Sequence, residues 1–222
     1  MKQLVIFDLD GTLLNTIDDL GIAPNHALQS LGFPVHKLSA YPAMVGNGVT
    51  RLLERALPAE AVTPEQVEAM RAIFTEYYDA HGADHSHPYP GIPELLTDLT
   101  DRGIRLAVAS NKYHAAVVRL IDHFFPGIPW TAVCGHKEGV PVKPDPSIVF
   151  DILASSPTPK ADVLYVGDSG VDMDTARRAC VTCVGVTWGF RSAAELKAHY
   201  ADFVVDNPDD ILRIATADHP IQ

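Results

Sequence analysis

Asp8 and Asp10 stand one residue apart at the end of the apolar run LVIFDL, and Gly11 and Thr12 follow them. Side chains alternate along a strand, so positions i and i+2 point the same way and both carboxylates face one site. Two like charges this close are unfavourable unless a positive group or a cation stands between them. A strand end followed by a simple turn is the alternative for this stretch taken alone. Gly11 permits a tight reversal, and Thr12 adds a hydroxyl and an amide.

A second apolar run ending in acid is VLYVGDSGVDMD, residues 163–174. Ser169 and Asp172 have the spacing of a capping box, which a helix start alone explains. Asp174 reads as a first-turn acid favoured by the helix dipole. Capping does not account for Asp168, which precedes the cap at the strand tip. Mg²⁺ takes oxygen ligands, commonly one or two carboxylates together with phosphate and water. Asp8 and Asp168, with the backbone carbonyl of Asp10, make a candidate set.

Donors and positive charge come from two further stretches. Ser110 and Asn111 end the run RLAVAS ahead of a predicted helix, where free N–H groups and a hydroxyl can hold a phosphate; a plain N-cap is the alternative. Lys143 lies in VPVKPDPS between Pro141 and Pro144. Such a proline-stiffened loop suits a fixed point charge, although a surface lysine is the default.

The elements that must position these residues are legible as short apolar runs at 4–9, 104–110, 131–135, 162–168, 183–186 and 203–205. Several are apolar almost throughout, as strands covered on both faces are. Helical patterns alternate with them near 92–102, 113–124, 146–155, 170–179, 192–199 and 208–216. The alternation predicts an α/β fold with a doubly wound parallel sheet, Rossmann-like in layout. It breaks between residues 16 and about 88, where only helical segments occur, near 16–31, 44–57 and 64–82. The expected division is a core of 1–15 and 89–222 with an all-helical insert, 16–88, near the carboxyl ends of the strands, where ligands bind in open α/β sheets. A helical module hinged there can act as a lid.

Bulk properties narrow the function classes. The 222-residue chain has 47% hydrophobic and 20% charged residues, ordinary globular usage, and a formal net charge of −11. Without a basic cluster it is not expected to bind nucleic acid, and any anion site must be local and strong. No apolar stretch has the length of a membrane span. Three cysteines, with no recognisable signal peptide, suggest reduced thiols and a cytoplasmic protein. Cys180-x-x-Cys183 has zinc-like spacing without a second pair and reads as core packing.

Taken in order, DLDGT (8–12), Ser110, Lys143 and GDSGVD (167–172) resemble the four motifs of the haloacid-dehalogenase-like hydrolase superfamily, and they span nearly the whole chain. The resemblance implies Mg²⁺-dependent phosphoryl transfer, with the helical insert as the family's cap. By it, Asp8 is a nucleophile that becomes an aspartyl-phosphate, and Asp10 is a general acid and base. Asp8, Asp10 and Asp168 hold the metal, and Lys143 is catalytic and binds phosphate together with Thr12, Ser110 and Asn111. Asp172 orients Lys143 or metal-bound water from behind. Asn15 departs from the pattern, since many relatives carry a second Asp there.

The cap segment AMVGNGVTRLLERAL (43–57) is similar to that of bacterial phosphoglycolate phosphatases, which implies 2-phosphoglycolate as substrate. Gly46, Asn47 and Gly48 form a turn that can approach a ligand, and Arg51 in the next turn is placed to pair with a carboxylate, or else is a solvated arginine beside Glu54 and Arg55. His81, His85 and His87 lie in a connector read as an exposed linker rather than a metal site. Trp188 and Phe190 border the pocket or pack beneath a loop. The alternatives are a sugar phosphomutase, a broad-specificity nucleotide or sugar phosphatase, a phospho-accepting signalling module and a dehalogenase. A dehalogenase needs neither Asp10 as acid nor a metal. The expected partner is a small phosphorylated metabolite, with the protein a monomer or homodimer.

Overall fold

The computed structural model describes residues 1–217; the last five residues of the expected core lie outside the described ones. The chain runs β1 (Leu4–Phe7), β2 (Leu14–Asn15), α1 (Ile17–Ser30), α2 (Val49–Ala56), α3 (Pro64–His81), β3 (His87–Pro88), α4 (Ile92–Asp101), β4 (Arg105–Tyr113), α5 (His114–Phe124) and β5 (Trp130–His136). It continues through α6 (Ser147–Ser155), β6 (Val163–Gly167), α7 (Gly170–Ala179), β7 (Thr182–Val186), α8 (Ala193–Ala198), β8 (Phe203–Val205) and α9 (Pro208–Thr216). Among the described residues no helix is long and apolar enough to cross a membrane.

Six strands form one parallel sheet in the order β5-β4-β1-β6-β7-β8. Strand β1 explains why the sheet is covered twice. Val5 and Phe7 join one apolar cluster, with α4, α5 and α9. Leu4 and Ile6 join another, with α6, α7 and α8. The two-residue period of a strand sends alternate side chains to opposite faces, so an uninterrupted apolar run is what a two-sided sheet requires. The chain builds one half of the sheet outward from β1 and then returns to build the other. The strand order therefore reverses at β1, and ligand crevices open at such a point beyond the carboxyl ends.

Helices α1, α2 and α3 pack around their own apolar cluster, which includes Leu28, Leu53, Met70 and Phe74 and takes in Ala116 of α5. Helix α3 starts at Thr63, whose side chain accepts from the Gln66 amide at 3.2 Å, with Pro64 in the first turn. The helix expected over 44–57 begins only at Val49. Gly46 and Gly48 have φ of 115° and 84°, values incompatible with a right-handed helix.

Two features differ from the pattern read in the sequence. Leu14–Asn15 and His87–Pro88 pair as an antiparallel ribbon where the chain leaves and re-enters the core; two-residue strands give too short a pattern to detect. The connector before β3 is also fastened rather than loose. Asp19 accepts from the backbone amides of His85 and Ser86, at 3.1 and 2.8 Å, and from the Ser86 hydroxyl at 2.7 Å.

Candidate active site

Asp8 follows the last residue of β1 and Asp168 follows the last residue of the adjacent β6, so both acids stand at neighbouring strand ends. Asp172 lies one turn into α7. Carboxylate oxygens of the three lie within 4.8 Å of one another, and all three residues are buried. Lys143 enters this group with its Nζ 2.8 Å from Asp8 Oδ1 and 2.7 Å from Asp172 Oδ1. It also donates to the Ala109 carbonyl at 2.9 Å and the Tyr165 hydroxyl at 3.2 Å.

One ammonium does not balance three carboxylates. Burial moves Asp8 from its ordinary 3.8 up to about 7, with Lys143 pulling it down and Asp172 and Asp10 pushing it up. Burial, then the neighbouring Asp172 and Asp8, hold Asp168 well above the usual carboxylate range. Lys143 is raised in turn, because its two carboxylate partners outweigh the desolvation that lowers an ammonium.

The acids do not offer their oxygens equally. Asp172 is fully used: Oδ1 faces Lys143, and Oδ2 accepts from the Ser169 amide at 3.1 Å and hydroxyl at 2.6 Å within a capping box. Among the described residues, Asp8 receives hydrogen bonds on Oδ1 alone and Asp168 on Oδ2 alone, from the Phe190 amide at 2.6 Å. One oxygen of each thus remains for a hard cation, and the donor set fits one. The close approach of the loops is possible because Gly11 and Gly189 lack side chains; a Cβ on either would stand 2.3 Å from the Asp168 side chain.

Asp10 points elsewhere. Its carboxylate pairs with Lys112 Nζ at 2.8 and 3.0 Å and accepts from the Thr16 hydroxyl at 2.7 Å. That leaves only its backbone carbonyl for the metal role. Lys112 is buried in β4, with its Nζ 4.8 Å from the centroid of the Tyr78 ring in α3.

These residues line a cavity of about 60 Å³ between the strand ends and the helical insert. The strand side supplies Asp8, Asp10, Ser110, Asn111, Lys112, Lys143, Asp168 and Asp172, and the insert supplies mainly apolar groups such as Leu20, Val49, Leu52 and Phe74. Gly46 and Gly48 reach the lining. Three expected residues do not. Thr12 is turned under the Gly11 reversal (φ 84°), fully buried, with its carbonyl accepting from Trp188 Nε1. Asn47 Oδ1 is taken by Arg55 at 2.9 Å. Arg51 is two-thirds exposed and pairs with Glu54 at 2.6 Å, three residues on, so helix geometry turns it to solvent.

Ser110 and Asn111 lie inside β4, which runs on to Tyr113, rather than at a helix N-terminus. Asn111 therefore acts as a bracket: Oδ1 accepts from the Lys143 amide at 2.7 Å, and Nδ2 donates to the carbonyls of Lys143 and Gly46 at 3.1 and 3.0 Å. Trp188 and Phe190 divide, with Phe190 in the lining and Trp188 packed against Tyr89. Sequence pattern does not single out Lys112, Tyr165 or Arg191. Arg191 lines the cavity and donates to the insert's Pro42 and Val45 carbonyls, the latter at 2.7 Å. Lys112 lies past the end of the apolar run at 104–110, in residues where the strand continues without an apolar pattern.

The model of the haloacid dehalogenase-like hydrolase family matches residues 5–186. The chain belongs to that family, and its fold, its acid–lysine site and its relatives together define a phosphatase. It is 32% identical to a phosphoglycolate phosphatase of Pseudomonas savastanoi pv. phaseolicola over 93% of this chain and 77% of that one. A phosphoglycolate phosphatase of Vibrio parahaemolyticus is 30% identical over 96% of this chain and 95% of its own. A solved structure from Haemophilus somnus, described as a predicted phosphoglycolate phosphatase, superposes with a TM-score of 0.87 at 28% identity, covering 97% of this chain and 98% of that one.

Proposed function

We propose that this chain hydrolyses 2-phosphoglycolate, a small phosphomonoester, through a covalent phosphoryl group on Asp8. The observation that carries the proposal is Asp8 at a strand tip, 2.8 Å from a buried lysine and beside the unshared oxygen of Asp168. An Asp8 oxygen attacks phosphorus, forming the acyl-phosphate as the alkoxide leaves. Asp10 gives the leaving oxygen its proton and later takes one from the water that opens the intermediate. Lys143 and the Ser110 hydroxyl hold the transferring oxygens, and Asp172 keeps Lys143 aimed. Mg²⁺, held by Asp8, Asp168 and the Asp10 carbonyl, would supply charge neutralisation for the phosphate and for the crowded acids.

The cavity favours a small substrate, and the relatives' names support glycolate as its organic part. Residues 16–88 serve as the cap and 1–15 with 89–222 as the catalytic core in this reading. All three cysteines are free thiols, which suits a cytoplasmic enzyme, monomeric or homodimeric, acting on a small metabolite. The test is phosphate release from 2-phosphoglycolate, sugar phosphates, nucleoside monophosphates and pyrophosphate, with Mg²⁺ and with EDTA. A Mg²⁺-dependent preference for 2-phosphoglycolate supports the proposal. Equal, weak rates on all esters reject the substrate, and silence from folded protein with Mg²⁺ rejects the phosphatase chemistry.

Two further results follow from the geometry. Arg51→Ala changes kcat/KM for 2-phosphoglycolate by less than about 2-fold, since an exposed i,i+3 pair contributes little; a loss above tenfold would return Arg51 to the site. The second concerns pH. Folding raises Asp8 from 3.8 to about 7 and raises Asp168 in the same direction. Carboxyls raised by folding stabilise the fold at pH below 3.8, and that contribution is lost as pH climbs through about 7. Melts in EDTA therefore show Tm falling by roughly 5 °C or more between pH 5 and 8, and MgCl₂ restores Tm at pH 8 but hardly at pH 5. A Mg²⁺ effect of equal size at both pH values would contradict the shared-charge account.

A further inference from the structure

Three cationic side chains line the cavity, and their commitments differ. Lys143 is spent on Asp8 and Asp172. Arg191 is spent on carbonyls of the insert. Lys112 is held by Asp10 alone among the carboxylates, and Asp10 is the group that must reach the ester oxygen in the proposed reaction. When Asp10 swings there, Lys112 is left as a buried ammonium without a counter-ion, an arrangement strongly disfavoured in a protein interior.

Beside Lys112 lies a second uncommitted group. The Tyr78 hydroxyl is buried next to Lys112, makes no hydrogen bond of good geometry among the described residues, and belongs to a side chain that lines the same cavity. Native structures rarely leave such an atom unpaired, so in this cavity it is open to a ligand atom.

We infer that Lys112 and the Tyr78 hydroxyl together bind a carboxylate on the substrate, and that this carboxylate replaces Asp10 as the partner of Lys112 and frees Asp10 for the ester. The inference rests on the phosphatase reading and deepens it. It moves recognition of the second anion from Arg51 on the cap surface to a lysine of the core. Lys112 exchanges one carboxylate for another and so keeps a counter-ion throughout. An ester whose tail is neutral leaves Lys112 holding Asp10 away from the reaction. Substrate choice thereby becomes a condition for assembling the acid–base group, as in induced-fit specificity.

The test compares kcat/KM for 2-phosphoglycolate with that for ethyl phosphate, which has a methyl group in place of the carboxylate, in the full-length enzyme with Mg²⁺. The wild type favours 2-phosphoglycolate by roughly 100-fold or more, the size expected for a buried charge pair made with only one of the two esters. Lys112→Met collapses that ratio to within about 5-fold, and Lys112→Arg keeps part of it. Tyr78→Phe, which removes a hydroxyl that makes no well-formed hydrogen bond among the described residues, lowers the ratio by roughly tenfold, with a thermal melt showing that the variant folds. If each variant slows both esters by the same factor, Lys112 and Tyr78 are structural and the inference falls. Equal wild-type rates on the two esters also overturn it while leaving the phosphatase reading intact. Absence of phosphate release from every ester overturns that reading and this inference with it.

Discussion

Asp8→Asn abolishes turnover, lowering kcat for 2-phosphoglycolate by about 10⁴-fold or more, and leaves the fold at least as stable as before. The two halves of this result have one origin. An amide has almost the shape of a carboxylate and can still face Lys143 at the 2.8 Å contact, but it cannot attack phosphorus. The same change removes one of three carboxylates crowded around a single ammonium, where burial had already raised Asp8 to about 7. In EDTA at pH 8, Tm of the variant therefore equals or exceeds that of the wild type. Single-turnover phosphate release measures the first half and thermal melts the second. A variant that releases phosphate at near wild-type rate would remove Asp8 from the role of nucleophile.

Lys143→Met has the opposite effect on stability. It leaves Asp8, Asp168 and Asp172 buried together with no ammonium, and removing one partner of a buried ion pair costs about 3–5 kcal/mol. For a chain of this size that is roughly 10 °C in Tm at pH 8. The loss shrinks at pH 5, because the stranded acids take up protons instead. Activity falls by about 10³-fold, as a preorganised charge aimed at the transferring oxygens disappears. Melts of wild type and variant at the two pH values separate charge from packing. An equal loss at both would mean that the methionine simply fits badly.

The two variants probe residues that stand out in the amino-acid sequence itself, and the reason is local. Asp8 and Asp168 each interrupt an uninterrupted apolar run at its end, where a packed strand has no use for a charge. Lys143 is framed by prolines in the same stretch of sequence. The sheet itself is legible because both its faces are buried, so β1 and β6 read as apolar at every position. Contacts between the core and the helical insert are not legible in this way. Arg191 binds the backbone carbonyls of Pro42 and Val45, and any sequence offers carbonyls. Lys112 meets Asp10 across 102 residues, through three residues by which β4 outruns its apolar stretch. Arg51 shows the converse error, since position three of α2 is compatible with either the cavity or solvent and only the packed helix decides.

The ribbon of β2 and β3 carries a last consequence. Asn15 and His87 are already neighbours across it, so the segment between them is a loop whose ends are pinned at the core. The entropy of closing that loop depends only weakly on its length. Trimming or replacing the segment therefore alters what the catalytic strands meet from above without altering how those strands find one another. The insert shapes the apolar side of the cavity, while Lys112 and Lys143 stay with the sheet.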